Sequence, residues 1–391
     1  MEIFQVGGSV RDELLGRTVQ DRDWVVVGAQ PAQLEALGFR PVGKDFPVFL
    51  HPDTHEEYAL ARTERKSGHG YRGFVVHASP EVTLDQDLAR RDLTINAIAR
   101  RADGTLVDPF DGLHDLRLGV LRHVGPAFAE DPVRILRVAR FAARFGFVVA
   151  PQTMALMKAM VADGEADHLV PERVWQELSR GLMEARPARM FEVLRACGAL
   201  SRVLPEVEHL FALADADGDA GHHILHVLDH AAAIGQPLEV RYALLMHQSE
   251  RAAGPGGDAV AVARAVSERI RAPNDCRDLA ALAARWLGTV QRALALDAAA
   301  VLALLTATDA WRRPERFAQL LAVARVDVQG RPGAADVPFP QAARLQAALA
   351  ASLAVDAAAI AAARDDPRAI PERIRAARLS AITHATHVNP S

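Results

Sequence analysis

The side-chain pattern changes character once along this 391-residue chain, and the change limits what the chain can fold into. Up to about Asp111, short runs at Trp24–Val27, Val48–Leu50, Glu57–Ala61, Phe74–His77 and Thr105–Asp108 alternate with glycine turns, which predicts strands. From about Leu116 onward the apolar residues fall at helical spacing, with alanine-rich stretches such as Ala357–Ala363 and punctuation at Pro171, Pro187, Pro205, Pro273 and Pro314. Gly254–Gly257 and Gln329–Pro340 read as loops. The expectation is an α+β fold, a small mixed sheet with helices followed by a long all-α array without a fixed-period repeat. The length exceeds one ordinary core, so at least two domains are expected.

Half of the residues are hydrophobic and 24% charged, the balance of a soluble globular protein. No apolar run is read as long enough to span a bilayer, and the start Met1–Val6 lacks a basic region followed by an apolar signal core, so a cytoplasmic protein is expected. Cys197 and Cys276 are too few for a disulfide framework or a zinc site, and each reads as a small buried side chain. The net charge of −4 gives no global sign of a nucleic-acid partner. Two local basic clusters, Arg62 to Arg72 and Arg134 to Arg144, fit either a solvated face or an anion site.

Chemistry concentrates near the N-terminus. A glycine turn at Gly7-Gly8 leads into a short basic helix with Arg11, and Asp21 and Asp23 then enter an apolar strand. Side chains alternate along a strand, so the two carboxylates share a face, where their repulsion calls for a hard cation such as Mg²⁺. Mg²⁺ favours sites shared with phosphate oxygens, which bare glycine backbone can approach closely. Glu57, on a following strand, is a candidate third carboxylate. Lys66–Phe74, with three glycines among basic and aromatic residues, fits a mobile phosphate-closing loop and a plain surface loop equally well.

Arg90-Arg91-Asp92-Leu93-Thr94-Ile95-Asn96-Ala97 is expected to open a helix, so the adjacent arginines should serve separate faces. One arginine can face a triphosphate, and Asp92 can accept from a ribose hydroxyl. Asp108-Pro109-Phe110-Asp111-Gly112 reads as a strand end and tight turn. After Glu130-Asp131-Pro132 a helix follows on which Arg137, Arg140 and Arg144 fall within an arc of roughly 60°. Arginines stacked without acidic partners repel one another; a solvated face tolerates this and a bound phosphate rewards it.

The ordered set Gly-Gly-x-Val-Arg-Asp, Asp-x-Asp, Arg-Arg-Asp-Leu-Thr-Ile-Asn-Ala, Asp-Pro-Phe-Asp-Gly, Glu-Asp-Pro-x-Arg and Pro171-Glu172-Arg173 resembles the class II tRNA nucleotidyltransferases, the CCA-adding enzymes, over roughly the first 200 residues. The resemblance implies a nucleotidyltransferase palm over 1–115, a base-selecting helical neck over 116–205 and a helical body and tail over 206–391 that hold the tRNA 3′ acceptor end. It implies Mg²⁺ held by Asp21 and Asp23, and ATP and CTP contacted by Gly8, Arg11, Arg91, Asp92, Arg137 and Arg140. It implies no membrane and no obligatory protein partner. Cytosine and adenine both present an amino donor beside a ring-nitrogen acceptor. An accepting Asp131 with a donating Arg134 therefore matches both and rejects uracil and guanine. The alternatives are a poly(A) polymerase, an enzyme adding only part of CCA, or a non-catalytic RNA-binding protein; two retained repelling aspartates speak against the last.

His222, His226 and His230 share one helix face, a spacing that suits a metal pair. Relatives of this resemblance often carry an HD-type phosphohydrolase domain. Here His223 fits the first histidine, but the His-Asp doublet reads His247-Gln248 and the downstream histidines are missing. The expectation is a helical body descended from such a domain, with no working metal site and no phosphohydrolase activity.

Overall fold

The computed structural model describes the chain except for Gln20 and residues 43–47, 67–73, 216–217, 249–250, 252–256, 363–366 and 388–391. The expected closing loop after Lys66 and most of Gly254–Gly257 lie outside the described residues.

A seven-stranded mixed sheet is built from β1 (Glu2–Val6), β2 (Asp23–Val27), β3 (Arg40–Val42), β4 (Val48–Leu50), β5 (Glu57–Leu60), β8 (Ala99–Arg100) and β9 (Leu106–Val107), in the order β3-β4-β5-β2-β1-β8-β9. Between them in sequence, β6 (Arg62–Lys66) and β7 (Phe74–Ala78) form a separate antiparallel hairpin. Alternation along the central strands sends Val25, with Phe4 and Val6, to a core completed by Leu88, Ala97 and Ala99. It sends Val26 to the opposite face with Leu34, Phe49, Tyr58 and Leu60. The β-branched runs are strands as expected. Four of these strands are not legible as such: β1, interrupted by Gln5; β3, interrupted by Pro41; β6, whose charged residues read as a basic cluster; and β8, only two residues long. Gln5 is nevertheless buried and donates to Glu13 Oε1 at 3.2 Å.

Helices α1 (Gly8–Leu14), α2 (Leu84–Ala89), α3 (Gly112–Leu118), α4 (Val133–Phe145) and α5 (Pro171–Met183) surround and follow the sheet. The expected helix at Arg90 does not form. Helix α2 ends at Ala89, and Thr94–Asn96 is one turn of 3₁₀ helix, because Leu93 is extended and bridges to His123.

Residues 1–181 and 189–203 form one compact unit, and 182–188 with 204–391 form a second. The 182–188 segment is tied into the second unit by Arg241 Nη1, which donates to Leu182 O at 2.7 Å, and by Ala188 N, which donates to Asp229 Oδ1 at 2.9 Å. The second unit includes α6 (Ala220–Ala233), α7 (Leu238–Met246), α8 (Ala259–Arg269), α9 (Asn274–Gln291), α10 (Ala298–Ala307), α11 (Pro314–Gln329) and α12 (Pro340–Leu353), with α9 packed on α7, α8 and α11.

One expectation needs correcting here. Residues 340–362 contain an 18-residue window of mean hydropathy 1.7, long and apolar enough by composition to cross a membrane. Much of that hydropathy is alanine, and the helix is broken at 354–356, with Leu345, Ala348, Leu349 and Ser352 of α12 buried in the unit.

The Asp-Pro-Phe-Asp-Gly turn fixes the end of the sheet. Asp108 accepts from Gly112 N and Leu113 N, both at 2.8 Å, and so caps α3. A Cβ at Gly112 would lie 2.2 Å from Thr94 O and 2.9 Å from Ile98 Cγ1, so only glycine lets α3 press on the Thr94–Asn96 turn. Gly112→Ala should cost about 1–3 kcal/mol of stability, read as a lowered midpoint in thermal unfolding.

Candidate active site

Sheet register assembles the site. Val6 of β1 pairs with Asp23 of β2, so the Gly7-Gly8 turn that follows Val6 lies beside Asp23. Asp23 in turn pairs in parallel register with Glu57 of β5, which places both side chains on one face. Asp21 precedes the strand by two residues rather than belonging to it, and is exposed. Partial desolvation and the neighbouring Glu57 and Asp21 charges push the Asp23 carboxyl up, against a pull from Arg91. Neighbouring carboxylates are the donor type whose repulsion a hard divalent cation relieves, so Asp21 and Asp23, with Glu57 adjoining, fit Mg²⁺.

Gly7 adopts φ +70°, and a Cβ there would fall 2.7 Å from Arg91 Nη1. Glycine is required twice over, for the left-handed backbone and for the guanidinium resting against it. Arg91 Nη2 pairs with Asp87 Oδ2 at 3.3 Å, and Arg90 Nη2 pairs with Asp87 Oδ1 at 2.7 Å. The adjacent arginines therefore share one anchor, contrary to the separate faces expected, because positions three and four residues after Asp87 both reach its carboxylate. Burial raises the Asp87 pKa, but the Arg90 and Arg91 charges outweigh it and hold the carboxyl below its usual range.

Arg11 is 3% exposed. Its Nε donates to Asp12 Oδ1 at 2.8 Å, its Nη1 donates to Asn96 Oδ1, and its guanidinium lies 5.1 and 4.9 Å from the Phe141 and Phe145 ring centres. Burial lowers its pKa. A Cβ at Gly8 would sit 3.4 Å from Arg11 Nη2, so the guanidinium lies directly beneath the turn.

The arginines of α4 do have acidic partners, supplied by elements distant in sequence. Arg137 Nε donates to Asp92 Oδ2 at 2.7 Å, Arg140 Nε to Glu177 Oε2 at 2.6 Å and Arg144 Nη2 to Asp12 Oδ2 at 2.8 Å. Arg11, Arg137 and Arg140 also surround the Phe141 ring at 4.4–5.5 Å. Asp92, buried, accepts further from Leu93 N and Asn96 Nδ2, both at 2.8 Å. Burial raises its pKa, but the Arg137 charge and these hydrogen bonds hold it well below the carboxylate range.

Asp131 is gripped bidentately by Arg173, at 3.0 and 2.8 Å, and Arg134 donates to Ala127 O at 2.9 Å and Arg90 O at 2.7 Å. The contributions of Asp87, Asn96, Phe141, Arg173 and Glu177 were not legible as site features. Motifs carried a signal for two of them, Pro-Glu-Arg for Arg173 and Arg-Arg-Asp-Leu-Thr-Ile-Asn-Ala for Asn96.

In the second unit, Asp327 Oδ1 lies 2.7 Å from His223 Nε2 and 2.9 Å from His247 Nε2. Burial raises the Asp327 pKa, but the His247 and His223 charges and hydrogen bonds hold it well below the usual range. These three donors lie within 4.8 Å of one another, the one such three-residue group among the described residues. The first histidine and the doublet position thus still converge, with an aspartate the sequence did not flag. His222, His226 and His230 do not join it; His222 packs edge-on against Phe211. Gln248 Nε2 lies 3.0 Å from His247 Nε2, and Gln291 Nε2 donates to Asp327 Oδ2 at 2.6 Å. Amides therefore occupy positions around the cluster where a dication favours carboxylates.

A mixed sheet carrying paired aspartates beside a glycine turn defines a nucleotidyltransferase head. Residues 3–122 match the poly A polymerase head domain, and 146–211 match a probable RNA and SrmB-binding site of polymerase A. The chain belongs to the family of multifunctional CCA proteins, the CCA-adding nucleotidyltransferases: it is 59% identical to that of Aromatoleum aromaticum over 98% of each chain. The Bacillus stearothermophilus CCA-adding enzyme in complex with CTP shares the fold, with TM-score 0.68 and 23% identity over 98% of this chain and 89% of that one. A tRNA nucleotidyltransferase solved with a primer tRNA and an incoming ATP analog aligns at TM-score 0.57 and 25% identity, over 82% and 91%.

The folded-state pKa of Asp87 lies below its unfolded value of about 3.9. The stability that it contributes is therefore complete above that value and fades as pH falls through it. Asp87→Asn should cost about 3–5 kcal/mol at neutral pH. The gap to wild type should narrow below about pH 4 in urea unfolding.

Proposed function

We propose that this chain builds and repairs the 3′-terminal CCA of tRNA from CTP and ATP, releasing diphosphate. The observation that carries the reading is the register placing Asp23 and Glu57 side by side, next to the Gly7-Gly8 turn and Arg91. Asp21 and Asp23 hold Mg²⁺, which when bound neutralises the triphosphate and favours the ionised RNA 3′-hydroxyl for in-line attack. Gly8 lets the phosphates approach the backbone, with the Arg11 guanidinium fixed underneath. Arg91, Arg137 and Arg140 present positive charge to the triphosphate, and Asp92 both orients Arg137 and reads the ribose 2′-hydroxyl. Asp131 and Arg134 select the base, on release from Arg173 and the backbone carbonyls that hold them. The palm spans 1–115, the neck 116–205, and the body and tail, 206–391, hold the acceptor end. The reading includes a cytoplasmic location, no membrane attachment and no obligatory protein partner.

The second cluster does not support hydrolysis. One carboxylate with two imidazoles, ringed by Gln248 and Gln291, leaves a dication under-neutralised, and we infer that HD-type phosphohydrolase activity is absent. Purified protein given a 2′,3′-cyclic phosphate and a divalent metal should release no phosphate; metal-dependent release would overturn this.

With Mg²⁺, CTP, ATP and a tRNA lacking its 3′ end, addition should stop at three nucleotides, and either chelation or Asp23→Asn should abolish it. Long tails from ATP alone would instead identify a poly(A) polymerase, the activity for which the matching head-domain family is named. The Asp131→Ala/Arg134→Ala double variant should relax base choice more than it slows transfer of any one nucleotide. A variant that is slower yet still selective for CTP and ATP would remove the base-reading role.

A further inference from the structure

The second unit contains a cavity of about 610 Å³ that neither the transfer reaction nor the histidine cluster uses. It opens between α8, α9, α10 and α11, and Arg264, Arg285 and Arg316 reach it from three of these helices. Along α9, Asp278, Ala281, Leu282, Arg285 and Trp286 line it at the spacing of a single helix face. It is separate from the Asp327 cluster: Arg316 and Asp327 lie on α11 about 16 Å apart along the helix axis.

Its charges are unbalanced. Asp258 is occupied as the N-cap of α8, accepting from Val260 N at 2.9 Å and Ala261 N at 3.2 Å. Asp278 is shared between Arg277, at 3.1 Å, and Arg316, at 3.9 Å. Among the described residues neither Arg264 nor Arg285 has a carboxylate within ion-pair distance. Arg316 Nε is buried with no hydrogen-bond partner among them, although Arg316 Nη2 donates to Thr308 O at 3.3 Å. A buried guanidinium N–H without an acceptor, beside two unpaired guanidiniums, calls for an anion.

The cavity is larger than a lone phosphate needs and lies in the range of small-molecule sites. Trp286 is half-buried on its wall, and the Arg285 guanidinium lies 5.3 Å from the indole ring centre. An indole beside guanidiniums is the surface on which a nucleobase stacks while its phosphate is neutralised.

We propose that this cavity binds one nucleotide unit, its base against Trp286 and its phosphate at Arg264, Arg285 and Arg316. The ligand is either a free mononucleotide or one nucleotide of a single-stranded RNA. The proposal does not rest on the transfer reading, since no residue of the first unit takes part.

Equilibrium dialysis of radiolabelled AMP against the full chain, in EDTA, tests it. One saturable site per chain is expected. It should be weakened about tenfold or more by Trp286→Leu and by the Arg264→Gln/Arg285→Gln pair. Arg264 and Arg285 are exposed, so that pair should leave thermal unfolding unchanged. Displacement of AMP by a short 5′-phosphorylated oligoribonucleotide identifies RNA as the source, and failure to displace it identifies a free nucleotide; either supports the site. Absence of saturable binding, or binding that all three substitutions leave intact, would overturn it. So would displacement by an equal concentration of inorganic phosphate together with an indifferent Trp286→Leu, the behaviour of a plain anion site.

Discussion

Asp92 ties the first unit together. Its carboxylate is closed on one side by Leu93 N and Asn96 Nδ2 and on the other by Arg137 Nε. Asn96 also holds Arg11, and Asp12 joins Arg11 to Arg144. A buried carboxylate in such a position cannot shed its charge without stranding Arg137, so the segment after α2 and the helix α4 are held in fixed register. The glycine turn, the strand carboxylates and the α4 arginines are then parts of one charge lattice. Removing one partner of a buried pair is far more disruptive than its net contribution suggests.

Besides Arg17, which donates to Arg144 O, four guanidiniums gather around Phe141 and Phe145, and the same lattice offsets their mutual repulsion. Each has a carboxylate on its edge and an aromatic face nearby, and the acids come from α1, from the turn after α2 and from α5. Guanidiniums held this way are already aimed, which lowers the conformational entropy that binding of an anion must otherwise overcome.

Much of this was legible in the sequence. The β-branched runs locate β2, β4, β5, β7 and β9, and the paired aspartates and glycine turn mark the candidate site, because strand alternation and glycine chemistry are local properties. What failed depended on distant partners. Arg137, Arg140 and Arg144 looked uncompensated since Asp92, Glu177 and Asp12 lie far off in the chain. The Arg90-Arg91 reading fails because both side chains reach back to Asp87, three and four residues earlier. Asp327 escaped notice because a single aspartate within Val326-Asp327-Val328 has no periodic signature. Glu57 shows the reverse case: it is a candidate from its strand alone, while its place beside Asp23 comes from a parallel pairing that no local pattern encodes.

The chain passes between its two units more than once, since 182–188 belongs with 204–391 while 189–203 returns to the first. Neither unit is therefore a continuous stretch that a single cut can release. An N-terminal fragment ending at Val203 would carry the 182–188 strap with Leu182 O and Ala188 N deprived of Arg241 and Asp229. A C-terminal fragment beginning at Leu204 would leave the buried Arg241 side chain without two of its carbonyl acceptors, Leu182 O and Glu184 O. Gene fission at this boundary, unlike fission at an ordinary interdomain linker, would damage both products, and evolution by domain shuffling is correspondingly constrained to exchange the halves with the strap reconnected.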